Sequence, residues 1–205
     1  MSLRVYGVVM HDGHGPATTV PAGCSLFPLR ELASVAEEGD FKVHDVDVSD
    51  IERHIEVVGA LFRQDAVLPA PVGTVFRSAE VLQRWMELHY VALSDALAWV
   101  EDRLAARVHI TRASGRPSDK EAGSDLAAIA AEVTRSLRRH AVASVPLRNE
   151  EVTGIVLSAS YLVERDLWEE FKDAVESESE RHPLVKMQLT GPWPAHDFVR
   201  LQFGA

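Results

Sequence analysis

Leu189-Thr190-Gly191-Pro192-Trp193-Pro194-Ala195-His196-Asp197-Phe198-Val199 is the stretch around which the rest of the chain is arranged. Two prolines fix φ on either side of one tryptophan, and each holds the residue before it in extended geometry. Gly191 supplies the conformational freedom that so rigid a corner needs at its entry. Leu184 to Leu189 reads as a strand before the corner, and Phe198-Val199-Arg200-Leu201-Gln202-Phe203 alternates as a strand after it. The expected element is two strands joined by a stiff loop that holds Trp193 in one place. Gly191, Pro192, Trp193, Pro194 and His196 are the candidate loop-defining or partner-binding residues. Tryptophan favours interface hot spots, yet most tryptophans are core, so packing is the default reading of Trp193.

Upstream of this corner the second half opens with a helix through Leu126, Ile129, Val133, Leu137 and Ala141. A strand follows over Gly154 to Leu162, then a helix carrying Leu167, Trp168, Phe171 and Val175 that His182-Pro183 stops. The order is α-β-α-β-β, an open sheet with helices on one face. Thr111 to Ser124 changes character, with Gly115, Pro117, Gly123 and mixed charges. It marks a boundary between a domain at 1–111, a linker at 112–122 and a second domain at 123–205.

The first half is also α+β. Leu3 to Val9 is β-branched and aromatic, as a central strand requires. Short extended pieces follow near Ser25 to Phe27, Ala33 to Ala36 and Phe41 to Val46. Ser49-Asp50-Ile51-Glu52 reads as a capping box. Ile51, Ile55, Val58 and Phe62 then give the helix one buried face, with His54 beside it. Ala66 to Phe76 is apolar but broken by Pro69 and Pro71, hence two short extended pieces. Ser78 caps the longest helix, expected to run to about Leu104 on a stripe of Leu82, Met86, His89, Leu93, Leu97, Val100 and Leu104. Trp85, Leu88, Ala92 and Trp99 widen that stripe, which implies packing against more than one layer. Arg107 to Ile110 reads as a strand that closes the first domain. No internal repeat is visible.

Composition narrows the function classes. With 205 residues, 46% hydrophobic and 25% charged, the chain has the balance of a globular protein and the length to bury a core. A net charge of −10 argues against nucleic acid, whose affinity comes from clustered Lys and Arg. No apolar run approaches the ~20 residues of a membrane span. The opening residues lack the charged and apolar regions of a leader, so a cytoplasmic location is expected. Cys24 is the single cysteine, which excludes an internal disulfide. His11, Asp12 and His14 lie on a Gly/Pro loop and lack the oriented coordination set of a metal site. No phosphate loop, nucleophile elbow or zinc-protease helix occurs. Catalytic, metal and cofactor residues are therefore assigned to none, and no enzyme is expected.

Several motifs in order resemble the gas vesicle accessory proteins of the F/L type. They are Tyr6-Gly7-Val8-Val9, Arg53-His54 with Val57-Val58 and Ala60-Leu61, Val67-Leu68-Pro69 with Gly73-Thr74-Val75-Phe76, and Ala159-Ser160-Tyr161-Leu162-Val163. The Gly-Pro-Trp-Pro corner is the most specific of them. The chain departs from the family at Ala70-Pro71-Val72, where an arginine and an aromatic are usual, and at Ala195-His196, where proline and tyrosine are usual. The resemblance implies a ferredoxin-like α+β N-terminal domain and a smaller α+β C-terminal domain. It also implies a non-enzymatic accessory role in gas vesicle formation, with the hydrophobic shell protein and other accessory proteins as partners. The competing reading is a small-molecule-binding or catalytic α+β protein, with a pocket between the sheet and the helix of residues 78–104 and with His54 and His89 as its polar groups.

Overall fold

The structure, a computed structural model, describes residues 1–11, 18–41, 46–113, 120–148 and 154–199. Contacts divide the chain into two units, Met1–Glu101 with Pro194–Ala205, and Asp102–Trp193. Both are α+β, each built on one antiparallel sheet.

The first unit contains β1 (Ser2–Met10), β2 (Cys24–Leu29), β3 (Leu32–Gly39), α1 (Val48–Phe62), β4 (Val67–Pro69), β5 (Val75–Phe76) and α2 (Ala79–Val100). The sheet order is β2-β3-β1-β4, with β5 also paired to β1. Strand side chains alternate between faces. Ala33, Val35 and Val67 pack with Val57, Val58 and Leu61 of α1. Leu32, Ser34, Ala36 and Leu68, equally buried, therefore point to the opposite face. That is the α2 side, where Phe76 meets Trp85 at a ring separation of 5.6 Å.

The second unit contains β6 (Arg103–Arg112), α3 (Lys120–Leu137), β7 (Ala143–Pro146), β8 (Ile155–Glu164), α4 (Trp168–Arg181) and β9 (Val185–Trp193). Its sheet order is β7-β8-β6-β9, antiparallel throughout. One face packs Val108, Ile110, Tyr161 and Val163 against Val133 and Leu137 of α3 and Phe171 and Val175 of α4. Both helices thus lie on one face, as the sequence order implies. The β-α-β-β-α-β order that defines a ferredoxin-like motif stands in this second unit. The described residues of the first unit run β-β-β-α-β-β-α instead.

Several expected elements are displaced. The strand read as closing the first half is β6, which lies between β8 and β9 at the interior of the second sheet. Leu104 belongs to β6, not to the long helix, which ends at Val100. Asp102 turns the chain there at φ 53°, a left-handed conformation that aspartate tolerates better than most residues. On α1 the cap is Asp47 rather than Ser49. Its side chain accepts the Asp50 backbone N–H at 2.9 Å, and the Asp50 carboxylate returns the bond. The buried face of α1 is Asp50, His54, Val57, Val58 and Leu61, so Ile51 and Ile55 are exposed. Asp50 can be buried because it pairs with Arg4 at 2.8 Å. On α2 Ser78 is the cap as read, and Leu82 to Val100 form the buried stripe. Leu88, Ala92 and Trp99 are exposed and do not widen the core. Strand β7 has no counterpart in the sequence reading. Within Phe41 to Val46, residues 42–45 lie outside the described residues, as do 114–119 of the expected linker.

Candidate partner surface

The Gly-Pro-Trp corner is the end of a strand rather than a loop. β9 continues through Trp193, whose Cα partner on β6 is Ala105. The pairing is irregular between Ala105 and Arg107, which shifts the register beside Thr190 and Gly191. Gly191 has φ 130°, and a Cβ there would lie 2.8 Å from the Ala105 carbonyl oxygen. Only glycine meets both demands. The Gly191–Pro192 peptide bond is cis.

Trp193 is 43% exposed, so the expectation that it plugs a core fails. Its indole N–H donates to Thr190 Oγ1 at 3.2 Å, which fixes the ring against its own strand. Gly191 and Pro192 are exposed beside it, while Pro194 and Ala195 are buried and belong to the first unit. His196 is exposed and opens a 3-10 turn, His196–Phe198, where the beginning of a second strand was expected. Residues 200–203 of that expected strand are outside the described residues. β9 is an edge strand, and its outer side carries no partner strand among the described residues. The corner therefore presents a fixed aromatic surface at the end of an open sheet edge.

The histidines of the competing reading do not converge. His54 is buried on α1, with its ring 5.9 Å from Tyr6. Burial, assisted by the nearby His196, pushes its pKa down to about 4, so the imidazole is neutral near pH 7. His89 is on α2, across the sheet. It stacks on Trp85 at 4.9 Å and its Nδ1 lies 2.8 Å from the Trp85 carbonyl oxygen. A cavity on the α2 side, lined by Met10, Asp65, Ala66, Ser94, Leu97, Ala98 and Glu101, holds about 80 Å³ and includes neither histidine. Ligand pockets run to roughly 300–1,000 Å³.

Around Cys24 the polar groups satisfy one another. Tyr6 donates to Glu37 at 2.7 Å, and its phenol is pushed up to about 12, chiefly by burial and then by that carboxylate. Arg53 binds Glu56 at 2.9 Å and the Ala22 carbonyl oxygen at 2.5 Å, and approaches Cys24 Sγ at 3.7 Å. Burial pushes the thiol upward despite that guanidinium, the opposite of an activated nucleophile. Of the His11, Asp12 and His14 loop, Asp12 and His14 lie outside the described residues.

The two antiparallel α+β units are the fold of solved gas vesicle proteins. The sequence profile described as "Gas vesicle synthesis protein GvpL/GvpF" matches residues 3–114 and 109–200, and the chain belongs to that family. It is 29% identical to gas vesicle protein F2 of Halobacterium salinarum, over 99% of this chain and 94% of that one. It is 29% identical to gas vesicle protein F of Haloferax mediterranei, over 100% of this chain and 96% of the relative. The crystal structure of GvpF from Anabaena sp. PCC7120 superposes with a TM-score of 0.83 at 14% identity, covering 98% of this chain and 97% of that one. That of GvpF from Microcystis aeruginosa gives 0.80 at 12%, covering 98% and 99%. These two likenesses establish the fold. Membership of the family implies involvement in gas vesicle formation. No helix among the described residues is long and apolar enough to cross a membrane.

Proposed function

We propose that this protein is a non-enzymatic assembly factor that binds the hydrophobic gas vesicle shell protein, together with other accessory proteins, during nucleation or growth of the vesicle wall. The observation that carries the reading is Trp193, 43% exposed at the end of a sheet edge that is unpaired among the described residues. An open edge offers main-chain hydrogen bonds to an extended segment, and an adjacent aromatic adds an apolar anchor. Such contacts shield an aggregation-prone subunit before it is incorporated. The acidic net charge of −10 opposes non-specific aggregation of the carrier itself. Gly191 and Pro192 set the position of Trp193, and His196 with Pro194 completes the corner.

Co-expression with the shell protein, followed by pull-down and size-exclusion chromatography, tests the reading. Co-elution as a soluble complex, lost on Trp193→Ala, supports it. A shell protein that precipitates while this chain elutes unchanged refutes direct binding. Retention of the chain in washed mature vesicles would place it in the wall instead.

A further inference from the structure

The outer face of α2 carries exposed apolar residues among its charged ones. Leu88 and Val91 are 77% and 69% exposed, and Ala92, Ala98 and Trp99 are also exposed. Positions 81, 84, 88, 91, 95 and 98 are spaced alternately by three and four residues, the spacing of a seam between two helices. The seam residues are Val81, Arg84, Leu88, Val91, Asp95 and Ala98. Arg84 and Asp95 are both exposed, and neither forms an ion pair or side-chain hydrogen bond among the described residues.

We propose that this face is the interface through which two copies of the chain associate, with their α2 helices antiparallel about a two-fold axis. The argument is self-complementarity. Laid antiparallel on itself, the seam sets Val81 opposite Ala98, Arg84 opposite Asp95 and Leu88 opposite Val91, and then repeats in reverse. Every apolar residue meets an apolar one, and every charge meets its opposite. A two-fold interface demands this reciprocity, because a residue facing a second position must also receive that position from its mate. The 22-residue helix places Arg84 and Asp95 about 16 Å apart at 1.5 Å per residue, so two ion pairs bracket a Leu88–Val91 centre. One helix pair falls at the small end of specific interfaces, so the association is weak and depends on concentration.

Sedimentation equilibrium of the full chain over a range from low to high micromolar tests the proposal. The wild-type mass is expected to rise from 22.6 kDa toward twice that value. Arg84→Asp alone, or Asp95→Arg alone, sets like charges opposite each other twice per dimer and is expected to raise the dissociation constant about tenfold or more. The double variant Arg84→Asp/Asp95→Arg restores every pair in the swapped sense and is expected to recover the dimer. Both positions are exposed, so circular dichroism should show unchanged helix in all variants. A wild-type chain that stays monomeric throughout overturns the proposal. So does a dimer that both single charge reversals leave unchanged.

Discussion

Replacing Gly191 with alanine isolates the constraint that fixes the candidate surface. At φ 130° an L-residue is strained whatever the space, at a cost of about 1–3 kcal/mol. The new Cβ would also stand 2.8 Å from the Ala105 carbonyl oxygen, 3.2 Å from Trp168 and 3.3 Å from the Trp193 ring. The carbonyl belongs to β6 and cannot withdraw without loosening its pairing with β9, so overpacking adds about 1–3 kcal/mol. The sum is a destabilisation of about 2–6 kcal/mol. Gly154 provides the control, since its φ is also positive, at 98°, but no atom of the described residues lies within 4 Å of a Cβ built there. Gly154→Ala should show the strain alone. Urea unfolding of the full chain, followed by far-ultraviolet circular dichroism, measures both variants. A Gly191→Ala protein no less stable than the Gly154→Ala protein would refute the steric account of the corner.

Other perturbations read other parts of the molecule. Trp193→Ala should change stability by less than about 1 kcal/mol, as exposed positions do, while abolishing co-elution with the shell protein; a large loss of melting temperature would make Trp193 a core residue after all. His54 has a folded pKa depressed to about 4 from 6.5, so the unfolded chain binds the extra proton first. Stability is fully present above pH 6.5 and declines as pH falls toward 4, by about 3 kcal/mol in all. An NMR titration that placed the His54 imidazole near 6.5 would contradict this, and His54→Phe should flatten that part of the pH profile. Asp50→Ala strips the half-buried Arg4 of its partner at 2.8 Å and should cost about 1–3 kcal/mol by thermal unfolding.

The elements most legible in the sequence were those set by local pattern. β1 and the buried stripe of α2 follow from alternation and helical spacing, and α4 stops where His182-Pro183 predicts. What failed depended on distant residues. Ile51 and Ile55 look like the inner face of α1 because Asp50 and His54 are polar. The face turns because Arg4, on β1, neutralises Asp50, and because Tyr6 lies against His54. Leu104 continues the α2 stripe in register, and no glycine or proline announces the turn at Asp102. The strand that follows therefore reads as the end of the first half, although its partners are β8 and β9. β7 is four residues long and ends in Pro146, too short to show alternation. In the candidate site the sequence singled out Gly191, whose φ is 130°, but not Trp193 as exposed, because exposure depends on which strands cover the edge.

The rigidity of that corner has a reason that core packing does not supply. Pro192 lies in the last turn of pairing with β6, whereas Pro194 and Ala195 are buried with the first unit. Trp193 is held within the second unit by its pairing with Ala105 of β6 and by the hydrogen bond from its indole to Thr190. A side chain needed only for packing would gain its order from neighbours in a core, and Trp193 has no such enclosure. An exposed aromatic whose ring is already hydrogen-bonded to its own strand loses less conformational entropy when covered by a partner than a free one does. The substitutions at Gly191 and Trp193 therefore act on separate quantities. The first removes the order of the surface and the second removes the surface itself, and a partner that truly docks there must respond to both.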